Sequence, residues 1–182
     1  MRPVISVIGI GWVIFWIGWL IAAFTAKSSR SRSGRLAGSR IVLAVVVVIL
    51  FRANVHHGSE RVDGPLLQGI GLTLWIAGLA LAVWARLYIG RNWGMPMSRR
   101  EDPDLVTTGP YLFIRHPIYT GLIVALIGTA LAISLFGLIV AAVVAVFFAF
   151  SATREEKFLA DQFPDTFPAY KARTKMLIPV VF

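Results

Sequence analysis

The residues able to do chemistry fall into two short stretches of a 182-residue chain. The first reads Gly90-Arg-Asn-Trp-Gly94, then Gly109-Pro-Tyr111, then Arg115-His-Pro-Ile-Tyr-Thr-Gly121. The second holds Glu155 and Glu156, followed by Phe167, Tyr170 and Arg173 at three-residue spacing. Thr108-Gly109-Pro110 is a turn signal. Pro117 suits the first position of a helix, where its missing N–H costs nothing. A helix opening there presents unpaired N–H groups and a positive dipole end, a place for an anionic group such as a carboxylate. Arg115 and His116 stand at its lip and Tyr119 just inside. Gly121, lacking a side chain, lets a flat ligand approach the backbone. Glu155 and Glu156 are helical neighbours and point about 100° apart. One can face inward while the other pairs with a base such as Arg154 or Lys157. With no cysteine, thiolate nucleophiles, thiolate-bound metals and disulfides are excluded. His56-His57, with Glu60 and Asp63 near, lacks the further ligands of a metal site. No metal is expected.

These stretches need something to hold them, and the composition says what. The chain is 57% apolar and 15% charged, too few charges for the surface of a soluble globule of this size. Val4 to Ala26 carries no charge, is too long for the core of a cleaved leader, and is expected to stay as an anchor. A second span centres on Ile41 to Phe51, and a third runs from about Leu66 to Ile89. Ile118 to Ala152 is uncharged, too long for one span and short for two. It is expected to be a tight helical hairpin turning near Ser134–Gly137. The fold class is therefore all-α: a polytopic membrane bundle of about five helices with a helical tail. Of the 18 basic residues, all but Arg2, Arg52 and Arg61 fall in loop 27–40, segment 86–117 and the tail after 151. With five spans those three segments share one face, which the positive-inside rule makes cytoplasmic. The N-terminus then lies outside. Phe163-Pro164 should break the last long helix, and Phe167, Tyr170 and Arg173 mark one face of a short amphipathic helix.

Arg115-His-Pro-x-Tyr-x-Gly121, preceded by Gly109-Pro-Tyr111, resembles the motif of the isoprenylcysteine carboxyl methyltransferase and phospholipid methyltransferase superfamily. The tail resembles that family's C-terminal half through Glu155-Glu156, Leu159, Phe163, Phe167, Tyr170, Arg173 and Pro179. The resemblance covers about residues 86–180, and residues 1–65, two helices and their loops, carry no family mark. Residues 66–182 would then be the methyltransferase core. The resemblance implies methyl transfer from S-adenosylmethionine, taken from the cytoplasm, to a lipid or lipid-linked acceptor reached through the bilayer. The cofactor would lie between the Arg-His-Pro segment and the tail, against Tyr111, Arg115, His116, Pro117, Tyr119, Gly121, Glu155 and Glu156. Glu156, with Glu155 as partner, would hold its hydroxyls or ammonium, and Arg173 or Arg115 would aim the acceptor.

Methyl transfer to a carboxylate needs orientation, a water-poor path and a cation. Transfer to an amine needs a base as well. The carboxylate is the expected acceptor. A phospholipid amine methyltransferase and a non-catalytic membrane protein of the same fold are the alternatives. A transporter would carry ionisable groups at mid-membrane, and these spans hold none away from their ends.

Overall fold

The computed structural model describes residues 3–23, 29–30, 61–90, 99–100 and 105–178. Within them the protein is helical: α1 (Pro3–Ala23), α2 (Pro65–Ile89), α3 (Pro117–Ile133), α4 (Gly137–Gln162) and α5 (Phe167–Arg173). A 3-10 turn covers Gly109–Leu112. The remaining regular structure is an antiparallel pairing of Ser29–Arg30 with Arg99–Arg100. Helices α1, α2 and α4 are long and apolar enough to cross a membrane, and α3 is a shorter apolar helix. The span expected around Ile41–Phe51 lies outside the described residues.

The uncharged run folds as the expected hairpin, with α3 ending at Ile133 and α4 starting at Gly137. Ser134 and Gly137 close the turn, the Gly137 N–H donating to the Ser134 carbonyl at 2.9 Å. The arms differ in length. At 1.5 Å per residue α3 is about 25 Å long and α4 about 39 Å, so α4 overhangs the start of α3. Pro117 and Glu155 stand nearly the same number of residues from the turn, which sets His116 and Glu155 side by side.

The α2–α3 contact fixes the start of α3. Gly71, Gly78, Ala82 and Ala85 form one buried stripe of α2 at helical spacing, and Gly121, Ala125, Gly128 and Ala132 form its counterpart on α3. Small residues let the backbones touch, the main source of helix affinity where lipid removes the hydrophobic drive. A Cβ at Gly78 would lie 2.5 Å from the Gly121 carbonyl oxygen, and one at Gly121 would lie 2.6 Å from that of Gly78. Gly121 is therefore occupied with helix packing, and the space expected above it for a ligand is filled by α2.

Apolar on every side, α1 buries only the stripe through Ile8 and Phe15. Polar ties from the described residues help hold it. Trp12 Nε1 donates to Thr129 Oγ1 of α3 at 3.1 Å. Arg86 Nη2, at the end of α2, donates to the Ala22 carbonyl at 2.5 Å. The ends of α1, α2 and α4 and the start of α3 thus share one side of the bundle. Arg61 and Val62 lie at the other, where the Val62 N–H donates to the Ile133 carbonyl.

Candidate active site

Pro117 opens α3 as the sequence predicts, with His116 as the preceding cap residue. The strand-like approach to that helix is stitched to the tail. The Lys175 N–H donates to the Phe113 carbonyl, the Arg115 N–H to that of Lys175 at 2.8 Å, and the His116 N–H to that of Met176 at 3.1 Å. Thr120 Oγ1 adds a bond to the Leu177 carbonyl at 2.6 Å. One amide of the helix entrance, that of the cap residue His116, is therefore taken by the chain itself.

Arg115 extends the same seam. Its Nε donates to Glu156 Oε1 at 2.6 Å, and its Nη1 to the carbonyls of Lys171 and Thr174. Lys171 Nζ reaches the other oxygen of Glu156 at 2.8 Å. Glu156 is the buried member of the glutamate pair, and it pairs with Arg115 and Lys171 rather than with Arg154 or Lys157. It sits behind the cavity wall as a clasp between α3, α4 and α5.

Glu155 takes the position expected for Glu156. It lines a cavity of about 220 Å³ with Arg115, His116, Pro117 and Tyr119. Glu155 Oε2 accepts from the Tyr119 hydroxyl at 3.3 Å and stands 3.7 Å from His116 Nδ1. The imidazole stacks on Tyr119, with centroids 5.4 Å apart and planes within 8°. Tyr119 stacks in turn on Phe148 at 4.5 Å. His116 Nε2 is buried without a hydrogen-bond partner, 3.6 Å from Glu156 Oε1. Deeper in, the lining turns apolar, through Leu122 and Phe148 to Trp16 and Trp19 of α1.

Tyr111 also lines the cavity, but its hydroxyl is turned to the Ala85 carbonyl at 3.3 Å. Its own carbonyl accepts from the Tyr170 hydroxyl at 2.7 Å. Burial pushes the Tyr170 phenol up to about 12, so it remains a donor at neutral pH. Gly109 holds the turn beneath with φ +60°, against the Tyr88 ring, a conformation that favours glycine. Arg173 is exposed and stacks its guanidinium over the outer face of Tyr170, 5.8 Å from the centroid. It is not part of the cavity wall, so its expected place beside the acceptor is not met.

The structure therefore brings Tyr111, Arg115, His116, Pro117, Tyr119 and Glu155 to one cavity, places Glu156 behind it, and leaves Gly121 and Arg173 out. The sequence pattern missed Trp16, Trp19 and Phe148, which read as generic membrane aromatics, and Lys171, which no motif marks. His56-His57 lies outside the described residues, and among those described no cluster of three or more metal-ligating side chains occurs.

Residues 67–166 match the model of the phospholipid methyltransferase family. The chain is 35% identical over 159 residues to the cobalt-zinc-cadmium resistance protein CzcN of Cupriavidus metallidurans, covering 85% of this chain and 70% of that one. It is 31% identical over 167 residues to protein-S-isoprenylcysteine O-methyltransferase B of Arabidopsis thaliana, covering 89% and 85%. A solved structure of the eukaryotic intramembrane Ras methyltransferase, isoprenylcysteine carboxyl methyltransferase, superposes with a TM-score of 0.56 at 25% identity. That match covers 79% of this chain and 53% of the other, so the chain spans about half the length of that structure. With its apolar helices and its motif at the mouth of a helical hairpin, the chain belongs to the phospholipid methyltransferase family and is a membrane methyltransferase.

Proposed function

We propose that the chain transfers a methyl group from S-adenosylmethionine to the carboxylate of a lipid or lipid-linked acceptor, on the cytoplasmic side of the membrane. The observation that carries this is the cavity's two-sided character. Its rim holds a carboxylate, an imidazole and stacked aromatic rings, and its depth is apolar. The cofactor's ammonium, hydroxyls and flat base fit that rim. When bound, S-adenosylmethionine supplies a methyl carbon made electrophilic by its sulfonium.

The chain's own groups do the rest. Glu155 accepts from hydroxyls or ammonium, the stacked His116 and Tyr119 rings pack against a flat base, and Tyr119 offers an aromatic face to a cation. The apolar wall keeps water from the transfer path, and the packed hairpin fixes the approach. Arg115 is the one Lys or Arg among the described residues that line the cavity, and it aims an anionic acceptor. An amine acceptor would need a base; in this reading the cavity's carboxylate, Glu155, is taken by the cofactor, and Glu156 is already paired with two cations. The cytoplasmic assignment rests on the sequence, in which 15 of the 18 basic residues fall in three segments that a five-span chain puts on one face. The test is transfer of labelled methyl from S-adenosylmethionine to membranes carrying the protein. Label released as methanol in mild alkali is the expected result, and label stable in an amine headgroup would refute the carboxylate assignment.

A further inference from the structure

The apolar depth of the cavity is walled by a helix that the family match does not include. Trp16 and Trp19 of α1 line it, whereas the match begins at residue 67. We infer that Trp16 and Trp19 are specificity-determining residues that form the subsite for the acceptor's apolar chain, a rigid slot that limits the chain's width next to its carboxylate-bearing head. This rests on the proposed methyl transfer to a lipid-type carboxylate.

Depth supports the assignment. Leu122 lies about 7.5 Å along α3 from Pro117, and Phe148 about 10.5 Å along α4 from Glu155, at 1.5 Å per residue. The lining therefore runs from the polar rim toward the membrane interior, the direction from which an apolar chain arrives. Trp16 is 47% exposed while it also lines the cavity. On the outer side of a membrane helix that exposure faces lipid, so the slot is continuous with the bilayer and its occupant needs no water-filled entrance. A chain longer than the slot simply continues into the membrane.

Rigidity makes the slot selective. Trp16 stacks on Trp12, with planes 18° apart, and meets the edge of Phe15. Trp19 stacks on Phe15 at 5.1 Å. Trp12 is in turn tied to Thr129, and the end of α1 to Arg86. Neither indole can move aside without breaking a stack, so a bulky group beside the acceptor head meets a wall that does not yield.

The experiment uses the full chain in nanodiscs with three N-acetyl-S-alkylcysteine probes at equal mole fraction. One carries a linear hexadecyl chain, one a linear decyl chain, and one a chain with a quaternary carbon beside the sulfur. The wild type should methylate both linear probes with kcat/KM within about threefold, and the branched probe at least tenfold less well. Trp16→Ala or Trp19→Ala should shrink that gap to about threefold, and Trp16→Phe should restore it in part. Thermal stabilisation by S-adenosylhomocysteine, unchanged in the variants, shows that they are folded. An undiminished gap in both alanine variants, with linear transfer intact, would refute the tryptophan assignment alone. A tenfold preference between the two linear chains would refute the open slot. Cofactor binding without transfer to any probe would refute the carboxylate acceptor and the subsite with it.

Discussion

Glu156→Gln should loosen the tail from the helix entrance without emptying the cavity. The carboxylate sits between Arg115 and Lys171, with side-chain exposures of 6% and 8% for Glu156 and Arg115 and 54% for Lys171. Removing one partner of a buried pair costs roughly 3–5 kcal/mol when the other charge is left alone. Arg115 is not left alone, because the carbonyls of Lys171 and Thr174 still accept from it. The loss is closer to that of one charge-assisted hydrogen bond, about 2–3 kcal/mol. The Lys171 arm is solvent-screened and adds at most about 1 kcal/mol. The total is about 2–4 kcal/mol, and at about 1.4 kcal/mol per tenfold docking of residues 163–177 should weaken roughly 30- to 700-fold. Hydrogen exchange at the Arg115 and His116 amides reads this directly, since both donate to tail carbonyls. Lys171→Ala should accelerate that exchange by less than about fivefold. Exchange at wild-type rates in Glu156→Gln, or a larger effect from Lys171→Ala, would refute the clasp.

The helix contact gives a pair of opposite signs. Gly78→Ala puts a methyl against the α3 backbone and should cost about 1–3 kcal/mol in unfolding experiments, whereas Gly69→Ala, with nothing within 4 Å, should be neutral or stabilising by up to about 1 kcal/mol. The raised Tyr170 phenol gives a pH dependence. Its folded value lies above its unfolded one, so its contribution to tail docking is intact below about pH 10 and is lost as pH rises toward 12. Proteolysis of the tail should quicken over that range more in the wild type than in Tyr170→Phe, and equal alkaline profiles would remove Tyr170 from the seam.

Periodicity and breakers carried most of the architecture. Pro117, Ser134–Gly137 and Pro164 each mark a helix end that the structure places where the local chemistry requires it. The Arg-His-Pro-x-Tyr string was legible as a helix mouth for the same reason. What stayed hidden depended on rotation and on distant partners. Which glutamate faces the cavity is set by the angle at which α4 packs on α3, and adjacent residues carry no sign of it. Gly121 reads equally well as room for a ligand or room for a helix, and only its opposition to Gly78 decides. Trp16 and Trp19 have the composition of any membrane-boundary aromatic. Their role follows from how the Arg86 and Trp12 ties set α1 against the cavity. The outward turn of Arg173 follows from α5 burying its Phe167 and Tyr170 face, which leaves the guanidinium to stack on the ring from outside.

Titration of purified protein with S-adenosylhomocysteine tests the central claim, that the cavity between the mouth of α3 and Glu155 holds the methyl donor. Saturable binding is expected, with a stability gain of about 2.7 kcal/mol at a hundredfold excess over Kd. Glu155→Gln and His116→Ala should each weaken it about 10- to 100-fold, the range for losing a hydrogen bond to a charged or buried group. Arg173→Ala should stay within twofold of wild type. Absence of binding by the wild type, or equal affinities in all three variants, would contradict the account.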